Sequence, residues 1–229
     1  MRSVAIVALG DLLDWDFVVD NLDDIRAGLA QHVLLTVLSV ALGLLLSFPL
    51  AVLSLRRPRL YPVVTTVTGL LYTIPALALM VTLLPIMGLN IWPVVTALTI
   101  YTLLILIRNI VAGVRSVPGD VREAATGMGL TRRQVLWRVE VPLALPAIVA
   151  GLRIATVSTV GLVTIGGLFG RGGLGQLIFE GLRLTDTTRI IVGAVLSVVL
   201  ALAAEALLLL LQRRLSPWAR RAGVRVVGV

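Results

Sequence analysis

Residues 123–146 read EAATGMGLTRRQVLWRVEVPLALP, an arginine-rich amphiphilic stretch between two long apolar runs. Neighbouring helices of a small helical protein are usually joined by about 2–8 residues. This connection is much longer and carries its own signals for helix starts and ends. We interpret it as a surface that another protein binds. The alternative is an interfacial helix pair that only stabilises the chain itself.

Two helix-start signals divide this stretch. Asp120 is followed three residues later by Glu123, the spacing of a capping box, which predicts a helix over 121–128. Thr131 and Gln134 repeat the pattern and predict a second helix that runs towards the next apolar run.

Small residues complete the predicted helix–turn–helix elbow. Gly129 permits the left-handed turn that separates the two arms. Ala124 and Ala125 present little side chain, so a groove on another protein could close on the helix backbone.

The composition is that of an integral membrane protein. Of 229 residues, 58% are hydrophobic and 14% charged, and the mean hydropathy is +1.03. All 20 basic residues are Arg, and the missing Lys excludes a Walker A nucleotide-binding loop. The net charge of +8 comes mostly from Arg beside apolar runs, which indicates a membrane rather than a nucleic-acid partner.

The residue types needed for catalysis or metal binding are scarce. There is no Cys, and His32 is the single His. We therefore predict no catalytic residue, no metal site and no cofactor in this chain.

Apolar runs of about 20 residues are needed to cross the hydrocarbon of a membrane. Five candidates occur, at 32–55, 62–86, 91–107, 142–169 and 190–211. The predicted fold is all-α, a polytopic membrane protein with five transmembrane helices.

The distribution of Arg predicts the orientation. Fourteen lie in the first connection, the third connection and the C-terminal tail, whereas five lie on the opposite side. The positive-inside rule then places the N-terminus outside and the C-terminus in the cytoplasm. The loop 115–141, between the third and fourth spans, is cytoplasmic in this arrangement.

Both ends of the chain are predicted to lie outside the membrane core. In residues 1–31, acidic residues alternate with apolar ones at helical spacing, which predicts an external amphipathic leader. Residues 32–212 form the membrane domain, and 213–229 form a basic cytoplasmic tail.

The loop resembles a known family motif. Glu123, Ala124 and Ala125, then Gly129, then Val139 and the pair Val141–Pro142 resemble the Glu-Ala-Ala loop of bacterial ABC importer permeases, with Val at both apolar positions of its end. The five spans are similar to the minimal type I, methionine-permease-like importer core.

The resemblance implies partners and roles. It makes the loop a coupling helix that sits in a cleft of a cytoplasmic ABC ATPase subunit, which binds ATP and Mg. It also implies a second permease subunit, identical or related, an external substrate-binding protein, and a bacterial inner-membrane location. The implied ATPase-coupling residues are Glu123, Ala124, Ala125, Gly129, Thr131 and Arg132.

Four further segments indicate the branch of the family. Residues 72–79 (YTIPALAL), 107–113 (IRNIVAG), 140–148 (EVPLALPAI) and 150–157 (AGLRIATV) resemble permeases for glycine betaine, carnitine and choline. The implied substrate is a quaternary ammonium osmoprotectant. A methionine or other amino-acid importer is the alternative.

Residues 170–175 read GRGGLG and match a dinucleotide-binding pattern by letter only, because no βαβ unit surrounds them. They resemble the glycine-rich turn after the fourth span of osmoprotectant permeases. We expect an outer re-entrant turn built from Gly170, Gly172, Gly173 and Gly175, followed by a short helix over 177–182. Arg171 is either a contact for a binding protein or a solvated charge.

Two charges fall inside predicted spans, Arg153 and Glu205. Charges at membrane depth usually pair or face water, and we prefer a structural pair to a lining of the inner pathway. Aromatic faces bind quaternary ammonium ions, and the candidates are Tyr72, Trp92, Tyr101 and Phe169. We prefer to explain them as packing or interfacial residues.

Two other functional classes fit less well. An ion-coupled secondary transporter usually has repeats and ionisable relays, whereas only Glu205 is acidic within a predicted span. An intramembrane enzyme lacks a plausible catalytic constellation here.

Overall fold

A computed structural model describes residues 13–216, and every regular element in that range is helical. The first twelve residues of the predicted leader and the predicted tail from residue 217 onward lie outside the described residues. The helices are α1 (Trp15–Asp20), α2 (Leu22–Arg56), α3 (Leu60–Thr73), α4 (Ala76–Met87), α5 (Trp92–Arg115), α6 (Gly119–Gly127), α7 (Arg132–Val135), α8 (Val141–Val163), α9 (Leu174–Leu184) and α10 (Thr187–Leu215).

Two irregular helical segments join these elements. A π-helical turn, Leu136–Glu140, connects α7 to α8, and a 3₁₀ segment, Thr164–Phe169, follows α8. In the described residues, four helical runs are long and apolar enough to cross a membrane: α2, α5, Arg132–Phe169 and α10. The helices α3 and α4 would make a fifth if counted as one span. The prediction of an all-α polytopic membrane protein is confirmed at this level.

The predicted second span, 62–86, is not a continuous helix. It is broken between α3 and α4, whose axes differ by 90°. Pro75 disfavours helical backbone at the preceding residue, and Ile74 is indeed extended, with φ −65° and ψ 126°. Pro75 also lacks the N–H that would continue the hydrogen-bond ladder.

Several helices extend beyond the predicted apolar runs. The boundary predicted between leader and first span falls inside α2, which begins at Leu22 instead of residue 32. Helix α5 continues past residue 107 and ends at Arg115, a cation that stabilises the negative helix end. Hydropathy detects the apolar part of a helix but not its ends. The helices are longer than the predicted runs because they continue past their apolar parts.

The second arm of the loop does not stop before Pro142. It passes through the π turn directly into α8, and the N–H of Val141 donates to the carbonyl of Leu136, five residues earlier. A proline ring collides with the carbonyl four residues before it, here Arg138, and a π turn widens the helix at that point. The predicted second helix therefore continues directly into the fourth apolar run.

The described chain divides into two compact units, each with its own apolar core. One unit contains 13–39, 75–98 and 158–202, where Leu174 and Leu177 of α9 pack with Ile25 of α2. The other contains 40–74, 99–157 and 203–216. Its core is formed by α2, α5 and α8 through Ala51, Leu106, Ile107, Ile110, Val111, Ala144, Ile148 and Ala155, with Val114 and Leu136.

Candidate functional site: the loop between α5 and α8

The first helix of the loop begins earlier than its sequence signal predicted. Pro118 is the N-cap of α6, without a side-chain cap, so the capping box predicted from Asp120 and Glu123 is wrong. Because the helix starts at Gly119, Asp120 lies in the first turn, and its carboxylate accepts from the N–H of Val121 at 2.9 Å. A carboxylate there still stabilises the positive end of the helix.

The C-terminus of α6 is closed by a Schellman motif, in which two backbone bonds run back across the last turn. The N–H of Leu130 donates to the carbonyl of Ala125 at 3.2 Å, and that of Gly129 to Thr126 at 2.9 Å. Gly129 has φ +83°, and nothing lies within 4 Å of where its Cβ would stand. The left-handed turn predicted at Gly129 is confirmed, and it lies in open space.

The second predicted cap is confirmed. The N–H of Thr131 donates to Oε1 of Gln134 at 2.8 Å, and the N–H of Gln134 donates to Oγ1 of Thr131 at 3.4 Å. The capping box directs the chain from the turn at Gly129 into α7.

Arg122 holds the loop against the helices that flank it. Its Nη2 donates to the carbonyl of Val114, near the end of α5, at 2.6 Å. Its Nε lies 2.7 Å from Oε1 of Glu140 in the π turn, with the geometry of an ion pair rather than of an aligned hydrogen bond. From the sequence, Arg122 is notable only for its charge. Its partners are 8 and 18 residues away, beyond the reach of any local pattern.

Burial separates the two alanines of the motif. Ala125 is 2% exposed, so its own side chain is not accessible to a partner, and its coupling role stays a prediction. Glu123 and Ala124 are exposed. Met128, which the sequence reasoning missed, is 74% exposed between Gly127 and Gly129. An apolar residue between two glycines at a predicted helix end was the available signal.

The two charges that fall inside predicted spans contact each other. Nε of Arg153 donates to Oε1 of Glu205 at 3.0 Å, and Nη2 contacts the same oxygen. Nη1 donates to Oε1 of Gln212 at 2.8 Å, and Nε2 of Gln212 donates to the carbonyl of Pro146 at 3.0 Å. Gln212 was missed, although it follows Glu205 by two helical turns and so shares its face. The network joins α8 to α10.

Two of the four aromatic candidates come together. The rings of Tyr72 and Tyr101 have centroids 5.1 Å apart, tilted by 45°. The hydroxyl of Tyr101 donates to the carbonyl of Ile74, a group that the helix break at Pro75 leaves free. Trp92 and Phe169 belong to the other compact unit.

The glycine-rich turn is closely packed. Gly170 and Gly173 have positive φ, +66° and +56°. A Cβ on Gly172 would collide with the backbone of Gly167, and one on Gly175 with that of Thr164. The N–H of Gly173 donates to Oε1 of Gln31 at 3.2 Å. The short helix after the turn is α9, which begins at Leu174, earlier than predicted.

Arg171, within this turn, lies near the connection before α5. Its Nη2 donates weakly to the carbonyl of Leu89, at 3.4 Å. In residues 13–216, no group of three His, Asp or Glu side chains could hold a metal ion.

Comparison with known proteins adds the family context. Residues 39–220 match the family model described as "binding-protein-dependent transport system inner membrane component". The carnitine transport permease protein OpuCD of Listeria monocytogenes is 39% identical, over 82% of this chain and 84% of the relative. The glycine betaine/carnitine/choline permease protein OpuCD of Bacillus subtilis is 40% identical, over 84% and 85%. The osmoprotectant import permease protein OsmW of Salmonella typhimurium is 36% identical, over 88% and 96%.

Solved structures show the same fold. An inward-facing structure of the MetNI methionine ABC transporter matches with a TM-score of 0.78, at 24% identity, over 86% of this chain and 98% of the matched one. An amino-acid ABC transporter crystallised with histidines matches with a TM-score of 0.74, at 22% identity, over 88% and 99%. At these identities the likeness concerns the fold alone.

Proposed function

The chain belongs to the family of binding-protein-dependent transport system inner membrane components, and from that premise we propose that it carries a quaternary ammonium osmoprotectant of the glycine betaine, choline and carnitine class. It is a permease subunit of an ATP-driven importer, a transport component and not an enzyme. It is a multi-pass protein of the bacterial inner membrane.

The observation that carries the substrate class is the similarity to osmoprotectant permeases along almost their whole length. Relatives named for carnitine, for glycine betaine, carnitine and choline, and for osmoprotectants are 36–40% identical over more than four fifths of both chains. The likeness to the methionine transporter rests on fold at 24% identity. A methionine or other amino-acid importer is therefore the second candidate.

We propose five spans, with α3 and α4 together forming the second. This number puts the N-terminus outside and the C-terminus in the cytoplasm, in agreement with the unequal distribution of Arg. The domain limits of the sequence-based prediction, 32–212 with the loop 115–141, are kept in this proposal. The proposed cytoplasmic side then contains α6, α7 and the turn between them.

We propose that the ATPase subunit binds the exposed face of α6. Glu123, Ala124 and Met128 are accessible there, whereas Ala125 is buried and packs the helix against its own unit. Gly129 and the Thr131 cap set the angle between the two arms, and Arg132 extends from the second arm.

Motion would reach the membrane through two connections of this loop. Arg122 ties α6 to the end of α5 and to Glu140. The π turn makes α7 continuous with α8, so a displacement of the loop is a displacement of the end of α8. ATP and Mg are bound by the ATPase, which supplies the free energy for alternating access.

We propose two further partners. An external binding protein delivers the substrate, and a second permease subunit completes the pathway. Both permease proteins OpuCD and OpuCB of the Bacillus subtilis glycine betaine/carnitine/choline system resemble this chain, at 40% and 33% identity. The second subunit is either a copy of this chain or a related one.

We propose that the Tyr72–Tyr101 pair contacts the substrate in transit. Tyr72 is 40% exposed, while Tyr101 is buried and its hydroxyl donates to the carbonyl of Ile74. The negative end of the α3 helix dipole lies at the same place and favours a cation. Aromatic faces bind quaternary ammonium groups. The Arg153–Glu205 pair, satisfied by Gln212, is assigned a structural role.

Uptake into proteoliposomes tests the proposed substrate. The permease is reconstituted with the ATPase and binding protein of its system, and ATP-dependent uptake of labelled glycine betaine is measured with choline, carnitine or methionine as competitor. Inhibition by choline or carnitine, and none by methionine, is expected. Uptake of methionine alone would remove the osmoprotectant assignment but keep the importer. Uptake without the ATPase would contradict the importer itself.

A further inference from the structure

A groove beside the coupling loop is lined by an unusual excess of positive charge. It has a volume of about 720 Å³ and lies entirely within one compact unit. This volume is within the range of about 300–1,000 Å³ that is typical of small-molecule sites. Its basic side chains are Arg56, Arg115, Arg122, Arg132 and Arg133, and its single acidic residue is Glu140.

Most of this charge is uncompensated. Glu140 is engaged by Arg122. Among the described residues, Arg56, Arg132 and Arg133 form no ion pair with a carboxylate. The guanidinium of Arg115 stacks over the ring of Tyr61, 4.5 Å from its centroid. Like charges gathered in one groove repel each other, so the arrangement is stabilised when an anion is present.

The groove lies where membrane-spanning helices end. Arg56 is the last residue of α2 and Arg115 the last of α5, and each follows an apolar residue that also lines the groove, Leu55 and Val114. A helix that leaves the hydrocarbon at such a point meets the phosphate layer of the membrane. Apolar residues directly beside arginines fit a molecule with a phosphate and a glycerol–acyl part.

The groove is distinct from the face of α6 proposed for the ATPase. Arg122 and Thr126, four residues apart, line the groove. Ala124 lies two positions from each of them and therefore about 160° away around the helix axis. An occupant of the groove would leave the exposed face of α6 free.

We propose that this groove binds the headgroup of an anionic phospholipid, with Arg56 and Arg133 contacting the phosphate. Arginine binds phosphate oxygens through two parallel N–H donors, and free guanidinium groups on two separate elements, the end of α2 and the start of α7, allow the phosphate to bridge them. The bound lipid would tie the coupling loop to the end of α2.

Native mass spectrometry of the purified full-length chain in detergent tests this proposal. The chain is titrated with phosphatidylglycerol, with phosphatidylcholine of the same acyl chains, and with inorganic phosphate. The test variant is Arg56→Gln/Arg133→Gln, and the matched control is Arg57→Gln/Arg59→Gln, which removes the same charge from exposed residues outside the groove. Circular dichroism verifies that both variants keep their helix content.

Phosphatidylglycerol should bind the wild type in preference to phosphatidylcholine. Loss of one charge-assisted hydrogen bond to the phosphate weakens binding roughly tenfold, so the groove variant, which loses two arginines, should bind roughly 100-fold more weakly. The control should stay within about twofold of the wild type. Both variants should still co-purify with the ATPase.

Four results would overturn the proposal. They are equal binding of the two lipids, equal loss in both variants, groove-dependent binding of inorganic phosphate without preference for the lipid, and loss of the ATPase from the groove variant. The last would make the groove a protein interface. Because lipid binding is measured on the chain without transport, its failure leaves the proposed transport function untouched, and the uptake assay tests that function separately.

Discussion

Gly129, between α6 and α7, and Gly172, in the turn before α9, are both glycines beside a helix end, but their surroundings differ completely. Gly129 has φ +83° and open space around its missing side chain. Gly172 is required for a different reason, because a Cβ there would collide with the backbone of Gly166 and Gly167. One glycine is needed for its backbone conformation alone, and the other for close packing of two segments.

The difference means that the turn at Gly129 lies at the surface, whereas the turn at Gly172 is packed inside the fold. The turn at Gly129 leaves Glu123, Ala124 and Met128 accessible, as a docking site for another protein requires. The glycine-rich turn instead packs on its own 3₁₀ segment and on α2, where Gly173 approaches His32. We infer that the first turn serves binding and the second serves the fold.

The largest expected effect is that of Gly172→Ala. Its methyl group would meet backbone atoms that cannot move aside, so we expect a loss of about 3 kcal/mol or more in the free energy of unfolding. The measurement is thermal unfolding of the detergent-purified protein. Gly161→Ala is the control, because nothing lies within 4 Å of its Cβ position. Equal thermal stability of the two variants would contradict the close packing of the backbone at Gly172.

The next largest effect is expected at Arg122, which attaches the loop between α5 and α8 to the segments that flank it. Arg122→Gln removes the ion pair to Glu140 and weakens the bond to Val114, at a cost of about 1–2 kcal/mol since the Arg122 side chain is 35% exposed. We also expect ATP hydrolysis to become less dependent on substrate. Arg138→Gln, at an exposed residue of the same loop, is the matched control. If ATP hydrolysis depended on substrate in Arg122→Gln as strongly as in the wild type, Arg122 would have no role in coupling.

A smaller effect is expected at Gly170, which lies in the same glycine-rich turn as Gly172. Gly170 has φ +66° but no neighbour within 4 Å of its Cβ position. Gly170→Ala should therefore cost only about 1 kcal/mol, the penalty of a left-handed residue with a side chain. The same thermal unfolding assay applies, and a loss as large as that of Gly172→Ala would mean that conformation, not packing, governs the whole turn.

Gly129→Ala should also cost about 1 kcal/mol in stability. We expect a larger relative loss in ATP-dependent uptake, because the angle between α6 and α7 depends on this residue. Gly119→Ala, at the other end of α6 and with open space around it, should alter neither. Normal uptake by Gly129→Ala would show that the turn is not needed for coupling.

Local patterns in the sequence predicted local structure well. The Thr131–Gln134 cap and the left-handed Gly129 are confirmed, and so is the family, because the loop motif is a short contiguous pattern. The break at Pro75 and the π turn before Pro142 were missed. A proline inside an apolar run gives no hydropathy signal, although its missing N–H was visible in the sequence.

Contacts between distant segments could not be predicted from pattern alone. Arg153 and Glu205 were paired because both charges fall inside predicted spans, and Gln212 shares the face of Glu205, but its hydrogen bond to Arg153 depends on how α8 and α10 pack. The burial of Ala125 and the partners of Arg122 depend likewise on how α6 packs. These are properties of the folded unit and not of any local stretch.

Thiol labelling of α6 tests the central claim most directly. The chain has no Cys, so Ala124→Cys and Ala125→Cys each introduce a single thiol. With a cysteine-free ATPase, we predict that Ala124→Cys reacts quickly with a maleimide in the permease alone and is protected once the ATPase is bound. Ala125→Cys should react slowly in both states. Equal labelling of Ala124→Cys with and without the ATPase would contradict the proposal that this face of the loop is where the ATPase binds.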